Sequence, residues 1–361
     1  MSRLKALWSI SVVRPVEWAR LRLGAPAARS RGAWLAGVVA LALLPVGAAR
    51  MAPADDGAPQ KQVRETAARE SGQAPSNGTW MAEREKDGRI ALSVRMKAQG
   101  RGRWESSSMY SASEFSGSTE GQGVRFELRR DAGTFRFEGD FRGERGAGFF
   151  LFLPNPAYSS EMRRLGYEVP ENRLLELALH NVSLDFVREM GALGYDKVSL
   201  DKLVEFRIHD VFPEFVRELA GLGYTDLSAD RLVEFRIHDV DPALIRTLRE
   251  LGYAELPSER LVELKIHDVT PEFIQVFGEL GYRNLPAEWL VEFSIHDVTP
   301  EFVREISEAG YSDVPAESLV EMRIHDVDAE LIREAQKRYG SLSLDEVIEF
   351  AIRGELDRER R

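Results

Sequence analysis

All six histidines of the chain fall on one lattice, at His180, His209, His238, His267, His296 and His325, each 29 residues from the last. Each is followed by Asn181 or by an aspartate: Asp210, Asp239, Asp268, Asp297 and Asp326. Imidazole beside carboxylate can ligate a divalent cation or titrate between about pH 5 and 8. Spacing argues against shared metal sites. If the column runs along stacked helices, successive copies sit roughly 8–10 Å apart, whereas each ligand of one zinc lies about 2 Å from it. One His–Asp pair alone supplies too few ligands for tight binding. The residues favour imidazoles at helix C-termini, where a cation suits the dipole and the last carbonyls need donors. The column is also a candidate interaction or pH-sensitive surface.

Other chemistry finds no footing. The sequence has no cysteine, which excludes disulfides, thiolate zinc sites and thiol catalysis. HExxH, GxSxG, GxxxxGK[ST] and a strand-led GxGxxG are absent. Every histidine is a repeat element, so no Ser/His/Asp triad can be argued. No catalytic residue, cofactor or metal is expected, and the protein reads as a non-enzyme. The net charge of −11 hides a split: residues 1–156 carry 24 basic and 16 acidic side chains, residues 157–361 carry 24 and 43. An acidic half repels phosphate backbones and favours a protein partner with a basic surface.

The elements that position these residues are tandem units filling the chain from about Tyr158 to Arg361. Gly-Tyr pairs recur at 166–167, 194–195, 223–224, 252–253, 281–282 and 310–311, and a degenerate unit, Leu344–Glu355, closes the array. In the unit Pro257–Tyr282, Thr270-Pro271-Glu272 reads as a capped helix start. Asp241-Pro242 and Thr299-Pro300-Glu301 repeat it. Gly194, Gly223, Gly252, Gly281 and Gly310 read as left-handed helix stops. In that motif Tyr282 should contact Phe277, and the same offset elsewhere gives Met162, Met190, Leu219, Leu248 and Ile306. The first half of each unit alternates as a leucine-rich-repeat strand would. Yet Ser199, Ser228, Pro257, Pro286 and Pro315 are helix starts, and the Asn/Asp after each histidine tolerates a left-handed helix end. Two short helices per unit are favoured over strand plus helix. Stacking then aligns Glu176, Glu205, Glu234, Glu263, Glu292 and Glu321 in one stripe. Arg188, Arg217, Arg246, Gln275, Arg304 and Arg333 form another.

Upstream the period changes to two, at Ile90, Leu92, Val94 and Met96, then Val124, Phe126 and Leu128, then Phe135, Phe137 and Phe141. Asp131-Ala132-Gly133 reads as a hairpin connection. Phe149–Leu153 reads as a strand buried on both faces, and the Gly-rich stretches 99–102 and 142–148 as turns. These predict a compact antiparallel sheet or small barrel. Before it, basic residues 1–32 lead into an apolar run, Ala33–Ala49, that reads as a signal peptide or an anchor. Either places the remainder outside the cytoplasm, periplasmic or tethered to the inner membrane through 33–49.

The segment RFELRRDAGTFRFEGDFRGERGAGFFLFLPNPAY, Arg125 to Tyr158, with units such as LVEFRIHDVFPEFVRELAGLGY, resembles a little-characterised bacterial repeat family. In some relatives similar repeats are joined to membrane metallopeptidases of the beta-lactam-sensor type. The resemblance spans roughly residues 80–361 and implies a helical-repeat module attached to envelope signalling. The peptidase itself is missing here, since HExxH is absent.

The expected organisation is therefore α+β and multidomain. Residues 1–49 form the anchor or signal, 50–78 a flexible linker, 79–156 an antiparallel β-domain, and 157–361 an α-solenoid-like array. The expected function is an envelope scaffold whose acidic repeat surface binds a protein. The alternative is a sensor of a small ligand or metal that signals through the array.

Overall fold

The computed structural model describes residues 76–97 and 103–355. The basic segment, the run Ala33–Ala49, most of the linker and the stretch 99–102 lie outside the described residues. Among the described residues no helix is long and apolar enough to cross a membrane.

Among the described residues seven strands come first: β1 (Ser76–Arg84), β2 (Arg89–Lys97), β3 (Arg103–Ser111), β4 (Phe115–Gly117), β5 (Val124–Arg130), β6 (Gly133–Arg142) and β7 (Arg145–Pro154). They pair in the order β3-β2-β1-β7-β6-β5-β4, every pair antiparallel. The alternating apolar residues put one face inside. The sheet is strongly curled. Trp80 on β1 and Phe126 on β5 have two strands between them, about 14 Å if the sheet were flat, yet their rings meet at 5.2 Å. The edge strands β3 and β4 are joined by one short turn, Ala112–Glu114, and Tyr110 meets Phe115 across it at 5.6 Å. They do not pair, so the sheet curls without closing.

One glycine makes room for the central ring. Gly139 and Gly148 face each other across β6 and β7. Trp80 lies against Gly148 and donates from its indole nitrogen to the Glu138 carbonyl at 3.1 Å. A Cβ on Gly148 would sit 2.8 Å from that indole nitrogen.

The expected strand buried on both faces is corrected here. In β7, Phe150 and Phe152 are buried while Phe149 is 51% exposed, because among the described residues no second layer covers the outer side of the curled sheet. Gly146 and Gly148 lie within that strand rather than in a turn, and β1 begins at Ser76, inside the stretch read as linker.

Fourteen α-helices follow among the described residues: α1 (Pro156–Arg164), α2 (Leu174–Leu179), α3 (Leu184–Met190), α4 (Leu200–Ile208), α5 (Pro213–Gly221), α6 (Ala229–Ile237), α7 (Pro242–Glu250), α8 (Ser258–Ile266), α9 (Pro271–Glu279), α10 (Ala287–Ile295), α11 (Pro300–Glu308), α12 (Ala316–Ile324), α13 (Ala329–Tyr339) and α14 (Leu344–Ile352). The segment before each histidine is thus helical. Starts are set locally. Ser199 and Ser228 accept from the third backbone N–H at 3.1 Å, as do Asp241, Thr270 and Thr299 on the alternate helices. Pro257, Pro286 and Pro315 begin α8, α10 and α12 without a side-chain bond.

Both helices of a unit end the same way. Tyr224, Tyr253, Tyr282 and Tyr311 return their N–H to Leu219, Leu248, Phe277 and Ile306, with Gly223, Gly252, Gly281 and Gly310 at positive φ. Val211, Val240, Val269, Val298 and Val327 return theirs to Phe206, Phe235, Leu264, Phe293 and Met322, with the preceding aspartate at φ 52–54°. That is one C-terminal motif used twice per unit. In the first unit α3 instead runs into a π-turn, Gly191–Tyr195, with Gly194 at φ 95°.

The tyrosines do more than stop helices. Each hydroxyl reaches a carbonyl of the following unit: Tyr195 to Leu227 at 2.8 Å, Tyr224 to Leu256 and Tyr253 to Leu285 at 2.7 Å, Tyr282 to Val314 at 2.6 Å, and Tyr311 to Leu342 at 2.7 Å. Tyr253→Phe keeps the ring and leaves the Leu285 carbonyl without this donor. It is expected to cost about 1 kcal/mol, read as a lower urea midpoint with an unchanged slope.

The sheet interior and the array share one apolar core. Leu174, Leu177, Ala178 and Leu179 of α2 are buried, and this helix packs on β6 and β7. Tyr110 donates to the Leu179 carbonyl at 2.9 Å, and Tyr158 to the Val182 carbonyl at 2.8 Å. The sheet therefore covers the end of the array where an unpartnered apolar surface would otherwise face water.

Candidate interaction face

The helices that end in histidine bury one side, Leu203, Val204 and Phe206 in α4 and their counterparts in α6, α8, α10 and α12. The opposite side carries Asp201, Glu205 and Ile208, at i, i+4 and i+7, with His209 next to it. The isoleucine is the unexpected member. Ile208, Ile237, Ile266, Ile295 and Ile324 are 48–53% exposed, and Ile352 of the closing unit matches them. In the first unit the equivalent residue, Leu179, is buried under the sheet. An apolar side chain at every step of a ladder is not the scattered surface isoleucine of an ordinary domain. It was legible in principle, since an isoleucine precedes each of the last five histidines.

The six histidines stand half-buried along this face. Burial lowers the pKa of His180, with Glu176 opposing and Arg207 reinforcing the shift. His296 approaches Glu292 at 3.3 Å. The helix-end carbonyls are served from the next unit. Arg207 donates to the His180 carbonyl and Arg236 to that of His209, both at 3.1 Å, Ser294 to His267 at 2.5 Å, and Arg323 to His296 at 3.2 Å. The Arg207 guanidinium also stacks 4.5 Å from the Phe212 ring. Among the described residues no three His, Asp or Glu side chains are grouped so as to hold a metal ion.

Much of the acidic stripe is already engaged. Arg173 bridges Glu176 at 2.7 Å and Asp201 of the next unit at 2.6 Å. Lys202 does the same with Glu205 and Asp230, Arg231 with Glu234 and Glu259, and Arg260 with Glu263 and Glu288. The arginine column pairs likewise, Arg217 with Glu189 and Arg246 with Glu218 at 2.9 Å. Exposed pairs of this kind each add at most about 1 kcal/mol, but they set the register of neighbouring units. The bridge position then changes to Trp289 and Ser318, and no ion pair joins Glu317 or Glu321 to a basic side chain among the described residues. Uncompensated negative charge therefore gathers on the helix that carries Ile324.

No protein-family model, curated protein or solved structure matches the chain.

Proposed function

We propose that this protein is a non-enzymatic interaction scaffold of the bacterial cell envelope. Its array acts as an α-solenoid of two-helix units whose isoleucine-and-glutamate face binds a protein partner bearing apolar and basic groups. The supporting observation is the exposed isoleucine column. Folding leaves five equivalent apolar side chains in water at one repeat position, each flanked by a carboxylate column, and buries only the copy that the chain's own sheet covers. About half of each isoleucine stays in water, so a contact outside the array explains the recurrence of the largest aliphatic side chains there better than core packing alone does. The unpaired carboxylates Glu317 and Glu321, on the helix of Ile324, would steer a basic partner. Envelope placement rests on the N-terminal basic and apolar pattern and on the family resemblance.

The test is capture from cell envelopes by the full-length chain, against a variant carrying Ile237→Ser, Ile266→Ser and Ile295→Ser. These side chains are half in water, so each change should cost about 1 kcal/mol, and the folded state of the triple variant is checked by circular dichroism. The expected result is one stoichiometric protein, weakened by salt and lost from the triple variant. Equal capture by both chains would remove this face from the function.

A further inference from the structure

Between two successive tyrosine loops the array holds a cavity of about 350 Å³, walled by Tyr282, Val303, Ser307, Glu308 and Asp313 and floored by Leu280. Arg304 reaches its rim, but Glu301 holds that guanidinium at 3.1 Å. The same place in other units shows what such a space accepts. Arg249 and Leu222 each lie 58 residues before Ser307 and Leu280. There the Arg249 guanidinium donates to the Leu222 carbonyl at the end of α5. One unit beyond the cavity, Gln336 donates from its amide to the Ala309 carbonyl at 3.0 Å. At Gly278 the side chain of Arg283 folds back and donates to the Gly278 carbonyl at 3.3 Å. Ser307 is too short to reach Leu280 and turns to Ser312, with the hydroxyl oxygens 3.4 Å apart.

We infer that this cavity is the seat of an arginine side chain supplied by a polypeptide partner, on the reading above that the array binds a protein. The Leu280 carbonyl, at the negative end of α9, would accept from the guanidinium, as Leu222 does from Arg249. Glu308 and Asp313 supply the countercharge, and Val303 and the Tyr282 ring flank the methylenes. A planar fork of donors suits one carbonyl and two carboxylates at different angles, whereas a lysine ammonium is a compact, strongly hydrated point charge.

The probe is Nα-acetyl-arginine methylamide, observed by saturation-transfer NMR on the full-length chain, with the lysine analogue as control. Transfer to the arginine methylenes is expected, several-fold weaker for lysine. Ser307→Arg should fill the seat from within, abolishing transfer and raising the melting temperature. The isosteric pair Glu308→Gln and Asp313→Asn should weaken transfer, which keeps the test readable if Ser307→Arg fails to fold. Arg249→Ser should open a second seat and increase the signal. No transfer to the wild-type chain, or transfer that Ser307→Arg leaves unchanged, overturns the assignment. Neither outcome touches the isoleucine face, which the capture experiment reads separately.

Discussion

Phe277→Ala is expected to destabilise the chain by about 3–5 kcal/mol and to break its unfolding into two steps. The buried residues form two clusters, one running from the sheet to α10 and one from α9 to α14. Phe277 is fully buried where they meet. Its ring lies 4.6 Å from Phe273, 5.0 Å from Phe293 and 6.3 Å from Tyr282. Alanine would leave a void that helices on either side cannot close together, because each is tied to its own neighbours by capping and tyrosine bonds. In a linear array the interface between adjacent units is the coupling term, so weakening one interface lets the segments melt separately. The C-terminal segment has the smaller core and should go first. Urea unfolding followed by circular dichroism and by tryptophan fluorescence checks this. Non-coincident curves are expected, since Trp80 reports the sheet and Trp289 the seam. Coincident curves with a shift below about 1 kcal/mol would show that the two clusters are one cooperative body.

Gly148→Ala is expected to cost about 3 kcal/mol or more, at the upper end of overpacking effects. The added methyl would run into the Glu138 carbonyl oxygen and lie 2.7 Å from the Gly139 Cα. Two of these neighbours are backbone and the third is the buried Trp80 ring, so no flexible side chain can yield. Gly143→Ala is the matched control. Gly143 has φ 62° in the turn between β6 and β7, with open space where a Cβ would go, and should cost only about 1–2 kcal/mol for the left-handed backbone. Chemical denaturation with near-ultraviolet dichroism separates the two. Equal costs would mean that the sheet can open at Trp80. Because the sheet covers Leu179 and the rest of α2, Gly148→Ala should also loosen the first helical pair, visible as faster amide exchange there than in α6 or α8.

Sequence by itself determined whatever is encoded within a few residues of chain. A serine, threonine or aspartate three residues before a donor starts a helix, and a glycine or aspartate that tolerates positive φ ends one. Hence the helix pairs and their stops could be read at Thr270, Gly281 and Asp268. Alternation did the same for the strands, since side chains on a pleated chain can only point to two faces. The tertiary structure decided what depends on which element lies alongside which. Phe149 looked as buried as Phe150, and only the missing outer layer exposes it. The tyrosine hydroxyls, the Arg207-type donors and the Arg231-type bridges all span about one unit, so their partners emerge only once the stacking distance is set. The boundary near residue 156 marks a change of period but no break in the core. The sheet's open end and α2 are both apolar, and water drives them together. The isoleucine column shows the same limit from the other side. Its period is written in the chain, but its exposure comes from the way α4, α6, α8, α10 and α12 turn their other faces to one another.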